Sequence, residues 1–344
     1  MDKKLFGVLP DGREVYQYTI RGGGLTCEIL TYGGAFRALY VPDRDGRDTD
    51  ILLGFDTLED YLAQDKYIGA LIGRCANRIG GASFELNGAH YTLAANDGSN
   101  HLHGGVLGFD KQLWTVDAAG DDFLALSLVS PDGQEGYPGS LSVRMTYRME
   151  DGGLTLNYSA KSDKDTLCNL TNHAYFNLGG HAGGPVLSHE IQILADYYTP
   201  TDAGSIPTGA VEPVAGAFDL RHAAVIGKHI DDDNIQLRCA GGYDHNWVIQ
   251  GTPGTLRPAV WACCPDTGIV MDVLTTQPGV QFYSGNYLDG CPRGKDGVPY
   301  AKRWGFCLET QSFPDSPHHS DFPSAILKAG EEYRQTTVYR FSVR

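Results

Sequence analysis

Leu141-Ser-Val-Arg-Met-Thr-Tyr-Arg-Met149 alternates apolar and polar residues without a slip, and a period of two marks a strand with one face in a core and the other in water. Asp151-Gly152-Gly153 interrupts the pattern, and Leu154-Thr-Leu-Asn-Tyr158 resumes it. The stretch therefore reads as a β-hairpin closed by a short glycine-rich turn. A second hairpin lies upstream, where Ser83-Phe-Glu-Leu86 and Ala89-His-Tyr-Thr-Leu93 flank Asn87-Gly88, a two-residue turn well matched to the twist of paired strands. Strand-like runs recur at residues 25–32, 36–41, 123–129, 191–195, 260–264, 269–275, 280–283 and 336–343, punctuated by 44 glycines and 17 prolines. Only residues 57–63 persuade as a helix, with Asp56 or Thr57 as cap and Asp60 three residues beyond Thr57. Many short strands with so little helical period predict an all-β fold, a large antiparallel sandwich or barrel with few short helices. No linker-like shift in composition and no repeat breaks the chain, so residues 1–344 are expected to form a single domain.

The chain is 42% hydrophobic and 20% charged, which excludes a disordered segment. It has no apolar run long enough to span a bilayer as a helix. The first residues, Met1-Asp-Lys-Lys-Leu-Phe-Gly-Val-Leu-Pro10, stop at Pro-Asp-Gly before a signal-peptide core develops. Basic and acidic residues sum to 27 − 42 = −15, a charge that repels phosphate backbones and anionic lipid surfaces. Neither nucleic acid nor membrane is an expected partner. Eight cysteines without a CxxC pair read as reduced structural thiols, and that usage points to the cytoplasm. Gly22-Gly23-Gly24 lacks the strand-to-helix context of a dinucleotide fingerprint, so no nucleotide cofactor is expected. A serine nucleophile is excluded with the Gly-x-Ser-x-Gly elbow that it would need.

Chemistry concentrates where ionisable and amide side chains interrupt apolar, glycine-rich sequence. Such stretches are Gly73-Arg-Cys-Ala-Asn-Arg-Ile79, Asn100-His-Leu-His-Gly-Gly105, Thr171-Asn-His-Ala-Tyr-Phe-Asn-Leu-Gly-Gly180, Tyr243-Asp-His-Asn-Trp247 and Phe306-Cys-Leu-Glu-Thr-Gln311, with Gln281 in Gly279-Val-Gln-Phe-Tyr283 as a sixth. Buried polar groups need partners, and a polar ring-shaped ligand would supply them. Glu309 follows what reads as a buried strand, where a carboxylate is rare unless paired. It fits a general base tuned by burial and neighbours, or an ion pair with Arg74 or Arg78. His101 and His103 share a face if the segment is extended, which suits a metal as well as an acid catalyst; if the chain turns at Gly104-Gly105, they diverge. His173, Asp244, His245 and Glu309 are the available further ligands, but their spacing matches no zinc pattern, and no metal is expected. His173 reads as a satisfied core histidine or a catalytic one, Asp244-His245-Asn246 as a loop brace or a binding element, and Asn77-Arg78 as a salt-bridge donor beside a turn amide or a ligand contact. Cys307, on the face of Glu309 by alternation, reads as filler in the pocket floor rather than a nucleophile.

Laid side by side, these segments resemble the aldose 1-epimerase family. The resemblance is carried by Gly73-Arg-Cys-Ala-Asn-Arg-Ile79, by His101-Leu-His-Gly-Gly105 with Gly108-Phe-Asp-Lys111 and Trp114, and by Ser130-Pro-Asp-Gly-Gln-Glu-Gly-Tyr-Pro-Gly139. It continues through Thr171-Asn-His-Ala-Tyr-Phe-Asn-Leu178, Tyr243-Asp-His-Asn246, Thr276-Gln-Pro-Gly-Val-Gln-Phe-Tyr283 and Phe306-Cys-Leu-Glu-Thr-Gln311. It implies an antiparallel β-sandwich with an open sugar cleft and the interconversion of α and β anomers of a free aldose such as galactose or glucose, without metal or cofactor. It implies Glu309 as general base, His173 as general acid and His103 as a second active-site histidine, with Asn77, Arg78, Asp244 and Gln281 holding sugar hydroxyls. Thr171, Asn172 and Asn177 are expected to orient His173, with Tyr175 and Phe176 as core or cleft wall. Residues 178–185 and 314–323 depart from the family pattern and are expected as cleft-rim loops. Other readings are a non-catalytic sugar-binding module, an epimerase for a pentose, and one for a hexose 6-phosphate, which would want Arg74 and Arg78 clustered at the cleft. Monomer and homodimer both stay open.

Overall fold

The computed structural model describes all 344 residues. Leu141–Glu150 and Gly153–Ser162 pair with Glu150 opposite Gly153, so the turn is Asp151-Gly152 alone, at φ 50° and 70°. Two left-handed residues give the turn the twist of the strands it joins. The same geometry closes Ser83–Leu86 on Ala89–Thr92 through Asn87 and Gly88.

Around the first hairpin a nine-stranded antiparallel sheet runs in the order Thr115–Ala119, Phe123–Ser130, Leu141–Glu150, Gly153–Ser162, Glu332–Val343, Ile269–Thr275, Arg257–Cys263, Glu190–Ile193, Ala224–Val225. A five-stranded meander covers Asp2–Val8, Glu14–Gly22, Leu25–Leu30, Phe36–Pro42 and Asp48–Asp50. A second five-stranded sheet is ordered Glu212–Pro213, Ala195–Thr199, Asp244–Ile249, Gly279–Tyr283, Cys307–Gln311. One apolar cluster takes in Ile20, Ile29 and Leu39 from the meander, Met145, Leu156, Met271 and Tyr339 from the large sheet, and Trp247, Val280 and Leu308 from the third. The molecule is an all-β antiparallel sandwich.

Three departures from the sequence reading have local causes. The strand expected at residues 191–195 is two, because Leu194 donates to Ala259 O and accepts from the Gln250 amide, which is where the chain passes from the large sheet to the third. Asp2–Val8 is a sheet edge exposed along most of its length, so no face alternates. Ile235–Ala240 is a second short helix, capped by the Asn234 side chain on the Gln236 amide at 2.8 Å and stopped by left-handed Gly241; with Leu237 and Ala240 its only buried residues, it carries no apolar stripe. The expected helix is present as Leu58–Ala63, with the Thr57 hydroxyl accepting from the Asp60 amide at 3.2 Å. No helix is long and apolar enough to cross a membrane.

Candidate active site

Three neighbouring strands of the third sheet form the floor of an open cleft. Asn246, Gln281 and Glu309 lie directly across from one another, as do Asp244, Tyr283 and Cys307, and the strand period of two sets all six on one face. The opposite face sends Trp247, Val280, Phe282 and Leu308 into the core, with His245 edge-on to Phe218 at 4.8 Å. Both faces are buried, so the quantity that alternates along these strands is polarity rather than exposure.

The facing wall comes from two short ladders. Arg78–Ile79 pairs with His101–Leu102. His103 follows at φ 52°, and Gly104 after it at φ 86° leaves Gly73 O only 1.9 Å from where a Cβ would stand, so only glycine makes this turn. The turn drives the two imidazoles apart. His101 is bound between Ala94 O and the Tyr137 hydroxyl, each at 2.7 Å, while His103 lines the cleft; their reading as a shared ligand pair fails on this geometry. Left-handed Asn77 donates its amide to His103 Nδ1 at 3.2 Å and accepts the His103 amide at 3.1 Å. A ring nitrogen that accepts holds no proton, so neutral His103 carries its proton on Nε2 and offers the cleft a donor. His103, His173 and Glu309 bring their ligand atoms within 4.8 Å of one another, but with Nδ1 committed to Asn77 and Nε2 protonated, His103 has no lone pair for a metal. The donor set does not fit a cation.

The second ladder pairs Thr171–Asn172 with Leu71–Ile72. Beyond it the His173 amide donates to Ala70 O at 2.9 Å and the Gly69 amide to His173 O at 3.0 Å. Asn172 Nδ2 fixes Gly69 O at 2.9 Å, and so orients His173 through its backbone partner. Asn177 does not: its amide ties Gly184 O to Trp304 O, each at 2.8 Å, and the Thr171 hydroxyl has no partner. Tyr175 is cleft wall and Phe176 is core.

His173 Nε2 comes within 3.8 Å of Glu309 Oε1, and the His103 and His173 rings meet edge to face at 5.2 Å. Burial pushes the Glu309 carboxyl well above the carboxylate range, Asp244 adds to the rise, and Arg78 opposes it. Burial also lowers His173 to about 4, and burial, His173 and Arg78 together hold His103 well below the usual imidazole value. Burial, the first cause in each case, favours the neutral forms of Glu309 and His173 over an ion pair. The two arrangements carry the same number of protons and differ by one transfer across 3.8 Å.

Arg78 Nε pairs with Asp97 Oδ2 at 2.7 Å, and both line the cleft. The ion-pair reading of Arg78 therefore holds with Asp97 as partner, not Glu309. Arg74 lies elsewhere, donating to the carbonyls of Ser130, Pro131, Pro138 and Gly139, so no arginine pair stands at the cleft. Gln281 sits behind Asp244, its Nε2 on Asp244 Oδ1 at 2.7 Å, and is not among the lining residues. Nor does either departing loop supply a lining residue. Asp315 instead braces the Arg78 ladder from behind, accepting the Gly80 amide at 2.8 Å and donating its own amide to Arg78 O at 2.9 Å. Tyr67, Asp97, Tyr283 and Tyr287 also face the cleft and escaped the sequence reading, since nothing local separates them from surface or core residues. The cavity is about 220 Å³, a little below the range of about 300–1,000 Å³ usual for drug-sized ligands, so it suits a small ligand.

A family model described as Aldose 1-epimerase matches residues 16–340. A galactose mutarotase from Bos taurus is 46% identical over 345 residues, covering 99% of this chain and 98% of its own, and an aldose 1-epimerase from Escherichia coli (strain K12) is 38% identical over 96% of both chains. The crystal structure of an aldose epimerase homologue from C. elegans superimposes with a TM-score of 0.87 at 29% identity, over 95% of this chain and 99% of that one. The chain belongs to the aldose 1-epimerase family.

Proposed function

We propose that this protein is a mutarotase, interconverting the α and β anomers of free aldoses such as D-galactose and D-glucose, with Glu309 as general base, His173 as general acid and His103 as a neutral donor beside them. The observation that carries the reading is a buried carboxylate within 3.8 Å of an imidazole, on the wall of a polar cleft of small-ligand size. Opening a hemiacetal requires a proton off the C1 hydroxyl and a proton onto the ring oxygen, and doing both together avoids a free alkoxide and a free oxocarbenium. In the arrangement with Glu309 ionised and His173 charged, Glu309 takes the first proton and His173 gives the second as the C1 to ring-oxygen bond breaks. Rotation about C1–C2 then turns the other face of the aldehyde to the hydroxyl, and the two transfers run backwards. The pair ends with the one proton it began with. No metal or nucleotide takes part in these steps.

Asn77, Arg78 and Asp244 hold the sugar while the open chain turns, with Gln281 steadying Asp244. A lectin would have no use for the Glu309 and His173 pair, and a 6-phosphate would find Arg78 without Arg74. With a net charge of −15, the protein acts on a small neutral sugar, not on nucleic acid or a membrane surface, and works in the cytoplasm. The test is polarimetric equilibration of freshly dissolved α-D-galactose and α-D-glucose. The wild type accelerates it, and Glu309→Gln slows it by about 10²- to 10⁴-fold, the contribution of one positioned acid or base, while sugar binding persists in calorimetry. No rate above buffer on any aldohexose or aldopentose refutes the reading.

A further inference from the structure

Cys307 and Glu309 project from one strand onto one face, and between them they meet both nitrogens of a single ring. Glu309 Oε1 is 3.8 Å from His173 Nε2, and Cys307 Sγ is 3.5 Å from His173 Nδ1. The thiol is fully buried; burial, with Glu309 and Asp244 adding to it, holds it protonated, so it is no nucleophile.

We propose that Cys307 is a positioning residue for the anomer interconversion, its sulfur accepting the Nδ1 proton of His173 so that Nε2 alone gives up and regains the transferred proton. This rests on the reading of His173 as the general acid. As the C1 to ring-oxygen bond breaks, the imidazolium passes its Nε2 proton to the ring oxygen while Glu309 takes the C1 hydroxyl proton. The ring is left neutral with Nδ1 still protonated, and reclosure returns both protons. The N–H to sulfur contact spans every state, and the thiol exchanges nothing. Its weakness matters. A carboxylate at Nδ1 would stabilise the imidazolium, whereas sulfur is a poor acceptor and leaves the cation ready to release its proton to a weakly basic ether-like oxygen.

The experiment pairs ¹⁵N-histidine NMR with pH–rate profiles for the wild type, Cys307→Ala and Cys307→Ser. The wild type shows His173 protonated at Nδ1 and bare at Nε2. Cys307→Ala mixes the tautomers and lowers kcat about tenfold, the scale of one neutral hydrogen bond, at unchanged KM, while Cys307→Ser, whose hydroxyl accepts the same proton, recovers most of the rate and the single tautomer. A wild-type His173 protonated at Nε2 overturns the proposal. So does a Cys307→Ala variant that keeps tautomer and kcat, or an equal loss of rate in Ala and Ser with the tautomer intact, which would leave only packing. Because the tautomer is read without turnover, a wild type lacking mutarotation would refute the functional reading separately.

Discussion

Replacing Asp244 by Asn should move the entire pH–rate profile of the enzyme towards acid. Glu309 and His173 are close enough to titrate as a pair, so the limbs of the profile belong to the pair and not to either residue. In the proposed mechanism the working form holds one proton. Adding a second on the acid side and removing the last on the alkaline side each change the charge of the pair by one, and a fixed negative charge nearby favours the more protonated state in both steps. Asp244 is such a charge once ionised, burial raising its own carboxyl while Arg78 and the Gln281 hydrogen bond oppose the rise, and Arg78 acts on the pair with the opposite sign. Asp244 and Glu309 stand on strands separated by the Gly279–Tyr283 strand and two residues apart in register, about 12 Å apart from two strand spacings and two residue rises. At an effective dielectric of about 20 their interaction is about 1.4 kcal/mol, about one pH unit. Asp244→Asn should therefore lower both limbs of log(kcat/KM) by about one unit, and Arg78→Met should raise them by a similar amount, whichever of Glu309 and His173 carries the proton at rest. In the proposed mechanism both variants also lose sugar contacts, so absolute rates should fall and only the position of the profile is diagnostic. The assay is polarimetric decay of α-D-glucose across pH 4 to 9 at constant ionic strength. A profile that stays in place in Asp244→Asn, or moves to alkaline pH, refutes the electrostatic coupling.

Two further outcomes follow from the same geometry. If Asn77 holds His103 as an Nε2 donor, His103→Gln, which keeps a donor near that position and cannot carry charge, should retain kcat within about tenfold, and His103→Ala should fall further by the worth of a hydrogen bond; equal losses in Gln and Ala would mean that the imidazole itself is titrating in turnover. His245 is buried, with its folded-state value lowered by burial to about 3 and its Nε2 without a partner. The unfolded chain takes up that proton near pH 6.5 and the folded one does not, so the contribution is fully present above pH 6.5 and lost as pH falls towards 3, a loss of about 3 kcal/mol by pH 4.5. His245→Phe should flatten the decline in urea-unfolding stability between those two pH values, and an unaltered slope would show that the ring is protonated in the folded state.

Much of the large sheet is written in its sequence because one side of it meets water. Leu141–Glu150 alternates buried and exposed along its length, and exposure is what hydrophobic periodicity measures. Chain punctuation was equally legible: Asn87-Gly88 turns where its residue types demand φ > 0, and Thr57 caps the helix through Asp60. The tertiary roles of polar residues were harder to read. Arg74 and Arg78 stand four residues apart with similar neighbours, yet one is consumed by the carbonyls of residues 130–139 and the other faces the cleft. What separates them is the register of Arg78–Ile79 on His101–Leu102, a long-range pairing that no local pattern encodes. Asp97, the partner of Arg78, sits in an ordinary-looking turn for the same reason.

The floor of the cleft shows where the boundary lies. Its three strands are buried on both faces, which erases the signal that revealed the hairpin at residue 141 and leaves runs that look merely apolar. Polarity still alternates in them, with Asp244 and Asn246, Gln281 and Tyr283, and Cys307 and Glu309 each two apart, so each pair was assignable to one face of its own strand. What could not be assigned was the order of the strands: Asp244–Ile249 and Cys307–Gln311 flank Gly279–Tyr283 across 29 intervening residues on the one side and 23 on the other. A single slip of register would turn Glu309 and Cys307 into the core together, and with them both partners of the His173 ring. The proposed chemistry therefore depends less on any one motif than on the pairing that sets Gln281 opposite Glu309 and Tyr283 opposite Cys307, because that register presents a carboxylate and a thiol to the two edges of one imidazole.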